Sequence, residues 1–347
     1  MNKLIKQLLE NLFDDYDDVF QDDTEYEPIT KHLLKEDVEK AIKWIRNNIS
    51  LIDFDDIVDD DIDEYVTITV DDDNDYWLNL EIVDYEIKFE NPIPDYVRIN
   101  KIKGCCATFS RSDNLPKEIE GTLKIKSNEI KFNGPFPSRL DALYVECPKL
   151  KSLKGLNDSC ASIDYVTINN CKNLQNLTGL PDSVNYLSLK DCNLSNLKGC
   201  SKQLKKLEID YCDNLENLIG LPESVDTIKL SYLGNFSSLE GCPAQLNELR
   251  IRKAFKLKSL KYISPLITRF FSVQYTGLVD LSNGPKEVVG DYYCIDNPNL
   301  KCLNAQDTVM TGHDTTFYCY GNDILKELTG LPKMKYKDIK ISTKRQN

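Results

Sequence analysis

Apolar residues recur along most of this chain at fixed spacings. Two apolar residues three positions apart are followed, after one further position, by a third, as in Leu140, Leu143 and Val145. A second apolar pair follows, here Leu150 and Leu153. Further triplets are Ile163/Val166/Ile168, Val184/Leu187/Leu189, Leu204/Leu207/Ile209, Val225/Ile228/Leu230 and Leu246/Leu249/Ile251. Alternation with a period of two predicts one short strand per copy, with the apolar side chains facing inward.

Less regular copies of the same unit continue to both sides of these six. They are Leu123/Ile125 with Ile130, Phe271/Val273 with Leu278/Leu281, Tyr292/Cys294 with Leu300/Leu303, and Phe317/Cys319 with Leu325/Leu328. Between residues 145 and 319 the last inward strand positions are 20 to 25 residues apart. The segment between Leu177 and Val184 is short and contains Gly179 and Pro181. Such a segment is too short for a helix, so the return side of each repeat is predicted to be extended.

This pattern resembles the short-repeat class of leucine-rich repeat proteins, which occurs among secreted effectors of pathogenic bacteria and in bacterial viruses and large DNA viruses. The resemblance implies an α/β-type solenoid of about ten short parallel strands with a mostly extended convex side. In that family, the third residue after the strand is usually Asn or Cys. The matching residues here are Asn128, Pro148, Cys171, Cys192, Cys212, Leu233, Ala254, Thr276, Asn297 and Asn322. Turns are expected to be less regular where this residue is Pro, Leu or Ala.

The first 90 residues differ from the rest in charge. They hold 28 acidic and 8 basic residues, whereas residues 91–347 hold 28 acidic and 35 basic ones. Helical spacing of apolar residues predicts helices over 3–13 and 36–48, and alternation over 65–70 and 76–89 predicts a β-hairpin. We therefore expect residues 1–93 to form an acidic α+β cap, 94–332 the solenoid, and 333–347 a basic tail.

The chain has 12 cysteines, and most of them fall in positions that the repeat already explains. Cys171, Cys192 and Cys212 occupy the turn position, and Cys294 and Cys319 face inward from strands. Cys200 and Cys242 take the place of Leu in a recurring Gly-Leu-Pro turn. These are roles for small buried thiols rather than for a disulfide framework. The pattern predicts a reducing compartment, either a cytoplasm, including that of a host cell, or a virion.

Sites for metals or cofactors are not expected. Cys294, Cys302, His313 and Cys319 could be imagined as a zinc site, but their spacing is irregular and no Cys-x-x-Cys pair exists. The acidic run 71–75 is followed by Tyr76 where a calcium loop has Gly. The sequence also lacks a Gly-rich phosphate loop and a nucleophile elbow, which favours a non-enzymatic protein. No apolar run reaches the length of a membrane span.

Outward strand positions form the remaining candidate site. Aromatic residues and arginines on the concave face of a solenoid have the composition of interface hot spots. The candidate binding residues are Tyr144, Tyr165, Tyr186, Tyr211, Lys229, Tyr232, Arg250, Arg252, Tyr275, Tyr293, Tyr318 and Tyr320. The alternative explanation is that tyrosine simply suits a half-exposed strand.

We therefore expect recognition of another protein through this face, with no membrane contact and with nucleic acid disfavoured as a partner. Two alternatives stay open. The chain could be a structural or assembly component of a virus particle. Its acidic first 90 residues could also mimic nucleic acid and occupy the binding site of an enzyme that acts on it.

Overall fold

A computed structural model of the protein describes residues 27–52, 57–58, 66–70, 76–109, 114–132, 136–156, 162–326, 328–336 and 339–343. The chain divides into two compact units, Met1–Ser127 with Phe132–Leu143, and Asn128–Lys131 with Tyr144–Asn347. Both are built from turns of a mostly parallel β-solenoid, about 12 in total, with very little helix. The helix predicted over residues 3–13 lies outside the described residues.

The first unit begins with helix α1 (Glu27–Asn48). Val38, Ala41, Ile42 and Ile45 are buried and lie on one face of the helix, as the spacing predicted. The helix starts earlier than the predicted residue 36. Proline is its second residue, where a missing backbone N–H has no consequence because the first turn has no internal acceptor for it.

Seven strands follow α1, and the longest of them organises the first unit. Strand β4 pairs antiparallel with β1 and β3, and parallel with β5. The hairpin of β3 and β4 confirms the prediction, whereas β1 and β2 were not predicted. Because β4 also pairs with β5, the domain boundary expected at residue 93 falls inside this unit. The strands are β1 (Ile49–Ile52), β2 (Ile57–Val58), β3 (Val66–Val70), β4 (Tyr76–Phe89), β5 (Ile99–Phe109), β6 (Glu118–Lys126) and β7 (Arg139–Glu146). Whether the segment acts as a cap stays a prediction.

The second unit is a succession of parallel strands in one-to-one register. Leu207, for example, lies between Leu187 and Ile228, so equivalent residues of successive turns are direct neighbours. The strands are β8 (Tyr165–Asn169), β9 (Tyr186–Lys190), β10 (Lys206–Asp210), β11 (Thr227–Ser231), β12 (Gln245–Arg252), β13 (Leu266–Gln274), β14 (Glu287–Val288), β15 (Asp291–Ile295), β16 (Val309–Met310), β17 (Thr316–Tyr320), β18 (Lys333–Met334) and β19 (Lys340–Ser342).

The core of the second unit consists of the apolar residues that defined the repeat. Every triplet from Ile163 to Ile251 is buried, and so are the second pairs through Leu300 and Leu303. The last predicted pair is different, because Leu328 is 38% exposed. Residues 162–326 contain no helix, which agrees with the predicted extended return side.

Glycine is required where the return side turns back to the next strand. Gly179 has φ +102°, and a Cβ there would lie 2.4 Å from the carbonyl oxygen of Leu153. A side chain would therefore collide with the backbone of the preceding turn.

Parallel pairing continues beyond the expected end of the solenoid. Strand β18 pairs with β16, and β19 pairs with β17. Residues 333–334 and 340–342, which were expected to lie in a basic tail, thus pair with strands of the preceding turn. The short strands β14, β16 and β18 form a second parallel ladder that starts on β13, which the sequence pattern did not predict.

Buried side chains at the turn after each strand form a ladder, which we call the turn ladder. Its asparagines satisfy backbone groups of their neighbours. Asn297 Oδ1 accepts hydrogen bonds from the backbone N–H (3.0 Å) and hydroxyl (2.6 Å) of Thr276. Asn322 Oδ1 accepts from the backbone N–H of Asn297 at 2.8 Å. Each asparagine thus provides the acceptor that a buried backbone N–H of the turn would otherwise lack. The turn ladder comprises Cys147, Cys171, Cys192, Cys212, Leu233, Ala254, Thr276, Asn297 and Asn322.

Two residues of the predicted turn ladder are replaced. Pro148 is only half-buried and Asn128 is exposed, while Cys147 is fully buried and precedes Leu150 by the same three residues that separate Cys171 from Leu174. The strand exit is one residue shorter in this turn, so Cys147 takes the ladder position.

The expected irregularity at Leu233 is also not observed. Strands β10, β11 and β12 keep their register without a shift. The backbone N–H of Leu233 donates to the carbonyl oxygen of Lys253 at 3.1 Å, so this turn needs no polar side chain. The register shift that does occur lies between Leu246 and Glu248, at the start of β12.

Replacing Asn297 with alanine should destabilise the protein. The substitution would leave the buried backbone N–H of Thr276 without an acceptor, which costs about 1–3 kcal/mol. Chemical denaturation should show a loss of that size in the free energy of unfolding. Asn299→Ala is the matched control, because Asn299 is exposed. Equal stability of the two variants would contradict the structural role of the turn ladder.

Nine cysteines are free thiols: Cys147, Cys171, Cys192, Cys200, Cys212, Cys242, Cys294, Cys302 and Cys319. Cys171, Cys192 and Cys212 are buried in adjacent turns, and Cys192 Sγ lies 3.5 Å from the carbonyl oxygen of Ile168. The hydrogen bond to Cys192 and burial raise the pKa of both Cys171 and Cys212. Burial also raises the pKa of Cys200 and of Cys242 to about 12. Thiols with a raised pKa are weak nucleophiles at neutral pH. Hydrogen bonds with neighbouring thiols lower the pKa of Cys192 and of Cys319 instead, so for these two thiols burial is what slows the reaction.

Thiol labelling should therefore be slow in the native protein. With Ellman's reagent at neutral pH, we expect fast reaction of few thiols and reaction of all 12 after denaturation without a reductant. A reductant requirement for full labelling would reveal disulfides and contradict the prediction.

Candidate interaction surface

Half of the side chains on strands β8 to β17 point away from the core. We call this side of the second unit the outward face. Because the register is one-to-one, its residues align in rows that cross the strands: Tyr165 lies beside Tyr186, and Tyr293 lies beside Tyr318. The regular neighbour distance in such rows is about 4.8 Å, close enough for rings to stack.

The first group on this face consists of two tyrosines and an ion pair. Tyr165 is 52% exposed, and its ring centroid is 5.6 Å from that of Tyr186. Lys229 Nζ lies 2.7 Å from Glu208 Oε1. Burial and a hydrogen bond to Glu208 raise the pKa of Tyr186, so it remains a neutral phenol. These four residues form a partly charged patch that is already internally paired.

A second group, the central column, crosses β12, β13, β15 and β17. The guanidinium of Arg250 lies 4.1 Å from the ring centroid of Phe270, and Phe270 stacks on Tyr293 at 4.8 Å. Tyr293 stacks on Tyr318 at 4.1 Å with 13° between the ring planes. Arg250 also hydrogen-bonds to Glu248. The column is a rigid, continuous aromatic surface with a cation at one end.

A third group lies where the strands end, and we call it the strand-exit column: Tyr211, Tyr232, Lys253 and Tyr275. Tyr211 stacks on Tyr232 with 4.4 Å between centroids. Lys253 Nζ lies 4.2 Å from the Tyr232 centroid and donates to its hydroxyl at 3.0 Å. That hydrogen bond lowers the pKa of Tyr232. Next to the column, Arg252 lies 6.0 Å from the Tyr275 ring.

The strand-exit position has an unusual backbone. Its residue adopts a left-handed conformation in turn after turn, with φ between 50° and 69°. Left-handed φ suits Gly, Asn and Asp and disfavours bulky side chains. Four turns follow that preference, with Asn170, Asp191, Asp296 and Gly321. The four consecutive turns between them carry the members of the strand-exit column instead. Side chains that this backbone conformation disfavours therefore occupy four consecutive turns, which favours a functional role for them.

The structure brings together ten of the twelve predicted residues in these three groups and their neighbours. The Tyr144 hydroxyl donates to Glu146 at 3.1 Å and accepts from Asn169 at 2.7 Å. Tyr320 lies on β17 in line with Ile295 rather than with another tyrosine. Lys253 was not predicted. Its alignment with Tyr211, Tyr232 and Tyr275 at the strand exit was the available signal.

The residues imagined as a zinc site have other partners. Cys294 and Cys319 are buried neighbours on β15 and β17, and Asn297 and Asn322 hydrogen-bond to their sulfurs at 3.5 Å. His313 stacks on Tyr336 at 3.9 Å. Among the described residues, no group of three or more His, Cys, Asp or Glu side chains is arranged to hold a metal ion.

Comparison of the chain with protein-family models, with curated proteins and with solved structures found no match. In the part of the chain that the structure describes, no helix has both the length and the apolar character needed to cross a membrane.

The strained backbone of the strand-exit column leads to a stability prediction. In Tyr275→Asn a side chain that tolerates positive φ replaces one that does not, so the free energy of unfolding should rise by about 0.5–1 kcal/mol. Asp296→Asn is the control, because both residues tolerate that conformation and its stability should not change. Chemical denaturation measures both. A less stable Tyr275→Asn protein would show that packing of the Tyr275 ring outweighs the strain.

Proposed function

We propose that this chain is a non-enzymatic recognition module that binds another protein through the outward face of its second unit. The observation that carries the proposal is the stacking of aromatic rings and cations over consecutive turns on a solvent-accessible face. Tyrosine and arginine are the residues most often found at interface hot spots. Rings that are already held by their neighbours lose little conformational entropy when a partner binds.

We further propose that the chain is a leucine-rich repeat protein. The 20- to 25-residue step between inward strand positions and the asparagines of the turn ladder support this assignment. Solenoids of this kind provide extended binding surfaces, because each turn adds one more strip of side chains. The nine free thiols support a reducing compartment, such as the cytoplasm of the producing or host cell, or a virion.

One observation favours a second candidate function. The first 90 residues contain 28 acidic side chains against 8 basic ones, which is the charge density needed to imitate a nucleic acid. This segment would then bind the cationic site of an enzyme while the outward face has a separate role.

The experiment is affinity capture from the native cell, with the full chain as bait, followed by mass spectrometry and measurement of binding. The combined variant Arg250→Ala and Tyr293→Ala should lose about 1–3 kcal/mol of binding free energy per truncated residue and keep its melting temperature. Phe255→Ala is the matched control, because Phe255 is 56% exposed and lies in a turn outside the outward face.

Retention of the partner by the combined variant would contradict recognition through the outward face. Copurification with particles at a fixed stoichiometry would instead indicate an assembly component. Capture of a nucleic-acid-binding enzyme that survives the outward-face substitutions, but not neutralisation of the acidic residues, would indicate mimicry.

A further inference from the structure

The strand-exit column differs from the rest of the outward face in its charge balance. Lys229 is paired with Glu208, and Arg250 with Glu248. Within the described parts of the chain, neither Arg252 nor Lys253 forms an ion pair with a carboxylate. Two cations of consecutive residues thus remain available to an external anion. Lys253 Nζ lies 4.2 Å from the centroid of the Tyr232 ring, and Arg252 lies 6.0 Å from that of Tyr275.

The column also presents an aromatic surface at its other end. Tyr211 is 46% exposed and stacks on Tyr232 with one face. The turn on the other side carries the smaller Asp191 in the equivalent position.

The dimensions of the column correspond to an extended peptide. Tyr211 and Lys253 belong to turns two steps apart, which is about 10 Å at the spacing of neighbouring strands. An extended chain covers that distance in about three residues at roughly 3.3 Å per residue. A peptide laid across the strand ends can therefore place one side chain on Tyr211 and another, three positions away, beside Lys253.

We propose that the strand-exit column, with Arg252, binds an extended acidic segment of a protein partner. A carboxylate of that segment contacts Arg252 and Lys253, and an aromatic side chain about three residues away stacks on Tyr211. This inference rests on the proposed function and narrows it to one subsite and one class of ligand.

A nucleic acid fits this surface less well. The strand-exit row carries Asp191 before the column and Asp296 after it, and Asp210 lies beside it. A phosphate backbone that crossed these turns would meet carboxylates on both sides of the two cations. A continuous polyanion needs cations along its whole path, whereas a single carboxylate needs only the pair at the centre.

The test is fluorescence anisotropy with the full chain and a labelled Ser/Glu peptide that contains one tyrosine three residues before a glutamate pair. Matched probes replace the glutamates with glutamine or the tyrosine with alanine, and a labelled oligothymidine is the nucleic-acid probe. The acidic peptide should bind more tightly than the glutamine peptide and the oligothymidine, and its affinity should fall as salt is raised.

Variants then locate the site. Arg252→Gln with Lys253→Gln should weaken binding of the acidic peptide roughly tenfold or more, as expected for the loss of charge-assisted hydrogen bonds. Tyr211→Asn should weaken it as much as the removal of tyrosine from the peptide does, and should not lower the melting temperature because asparagine tolerates the left-handed backbone. Lys206→Gln is the control on the same face and should change the affinity less than about twofold.

Equal binding of the acidic and glutamine peptides, tighter binding of oligothymidine, or equal losses in the control and column variants would each overturn the inference. Capture of the partner protein by the variants distinguishes failure of this inference from failure of the proposed function. If the partner is lost with Arg250→Ala and Tyr293→Ala but retained by the strand-exit variants, recognition through the outward face stands and the acidic subsite does not. If neither set affects the partner, both proposals fail.

Discussion

The organisation of the second unit depends on one constraint, the one-to-one register of hydrogen bonds between successive parallel strands. From β8 to β12 each strand aligns with the next without an offset, as Val166, Leu187 and Leu207 do. Equivalent residues of neighbouring turns must therefore lie side by side. The apolar ones form a continuous core, the polar ones at the turn share hydrogen bonds, and the aromatic ones on the outward face stack. A slip of one residue would exchange the core side and the solvent side of a strand, so the apolar pattern itself fixes the register.

In the turn ladder, different side chains satisfy the hydrogen bonds of the same buried backbone groups. Asn297 and Asn322 provide side-chain acceptors for buried N–H groups, and Cys212 Sγ accepts a weaker hydrogen bond from the backbone of Cys192 at 3.4 Å. At Leu233 the backbone bonds directly to the next turn. The requirement is a partner for each buried polar group rather than a particular residue. Leucine can therefore occupy the ladder without a break in the strands beside it.

The sequence predicted the fold of the second unit well because its signal was the alternation of buried and exposed residues, repeated many times. It assigned Pro148 instead of Cys147 to the turn ladder, because alternation within a strand does not show that the following strand exit is one residue shorter. It missed β18 and β19 because Lys333 and Lys340 look like a basic tail when no apolar triplet surrounds them. In the first unit it predicted β3 and β4, which alternate, but not β1, whose pairing with a distant strand leaves no local trace.

The candidate site was predictable in composition but not in geometry. Tyrosines at outward positions identified the face. Which of them stack depends on diagonal neighbours such as Phe270 and Tyr293, and these follow from register rather than from spacing within one strand. Lys253 was not predicted from the apolar pattern for a related reason. Its role comes from the left-handed backbone it shares with three tyrosines, and no apolar pattern reports a positive φ.

In-register stacking also has an evolutionary consequence. A tandem duplication that inserted one whole turn of about 21 residues would preserve the core, since the new strand would find equivalent neighbours on both sides. The same event would lengthen each column of side chains by one member. One duplication can therefore extend the surface by one turn. Later substitutions at the exposed positions of that turn can alter the added side chains without affecting the packing beneath them.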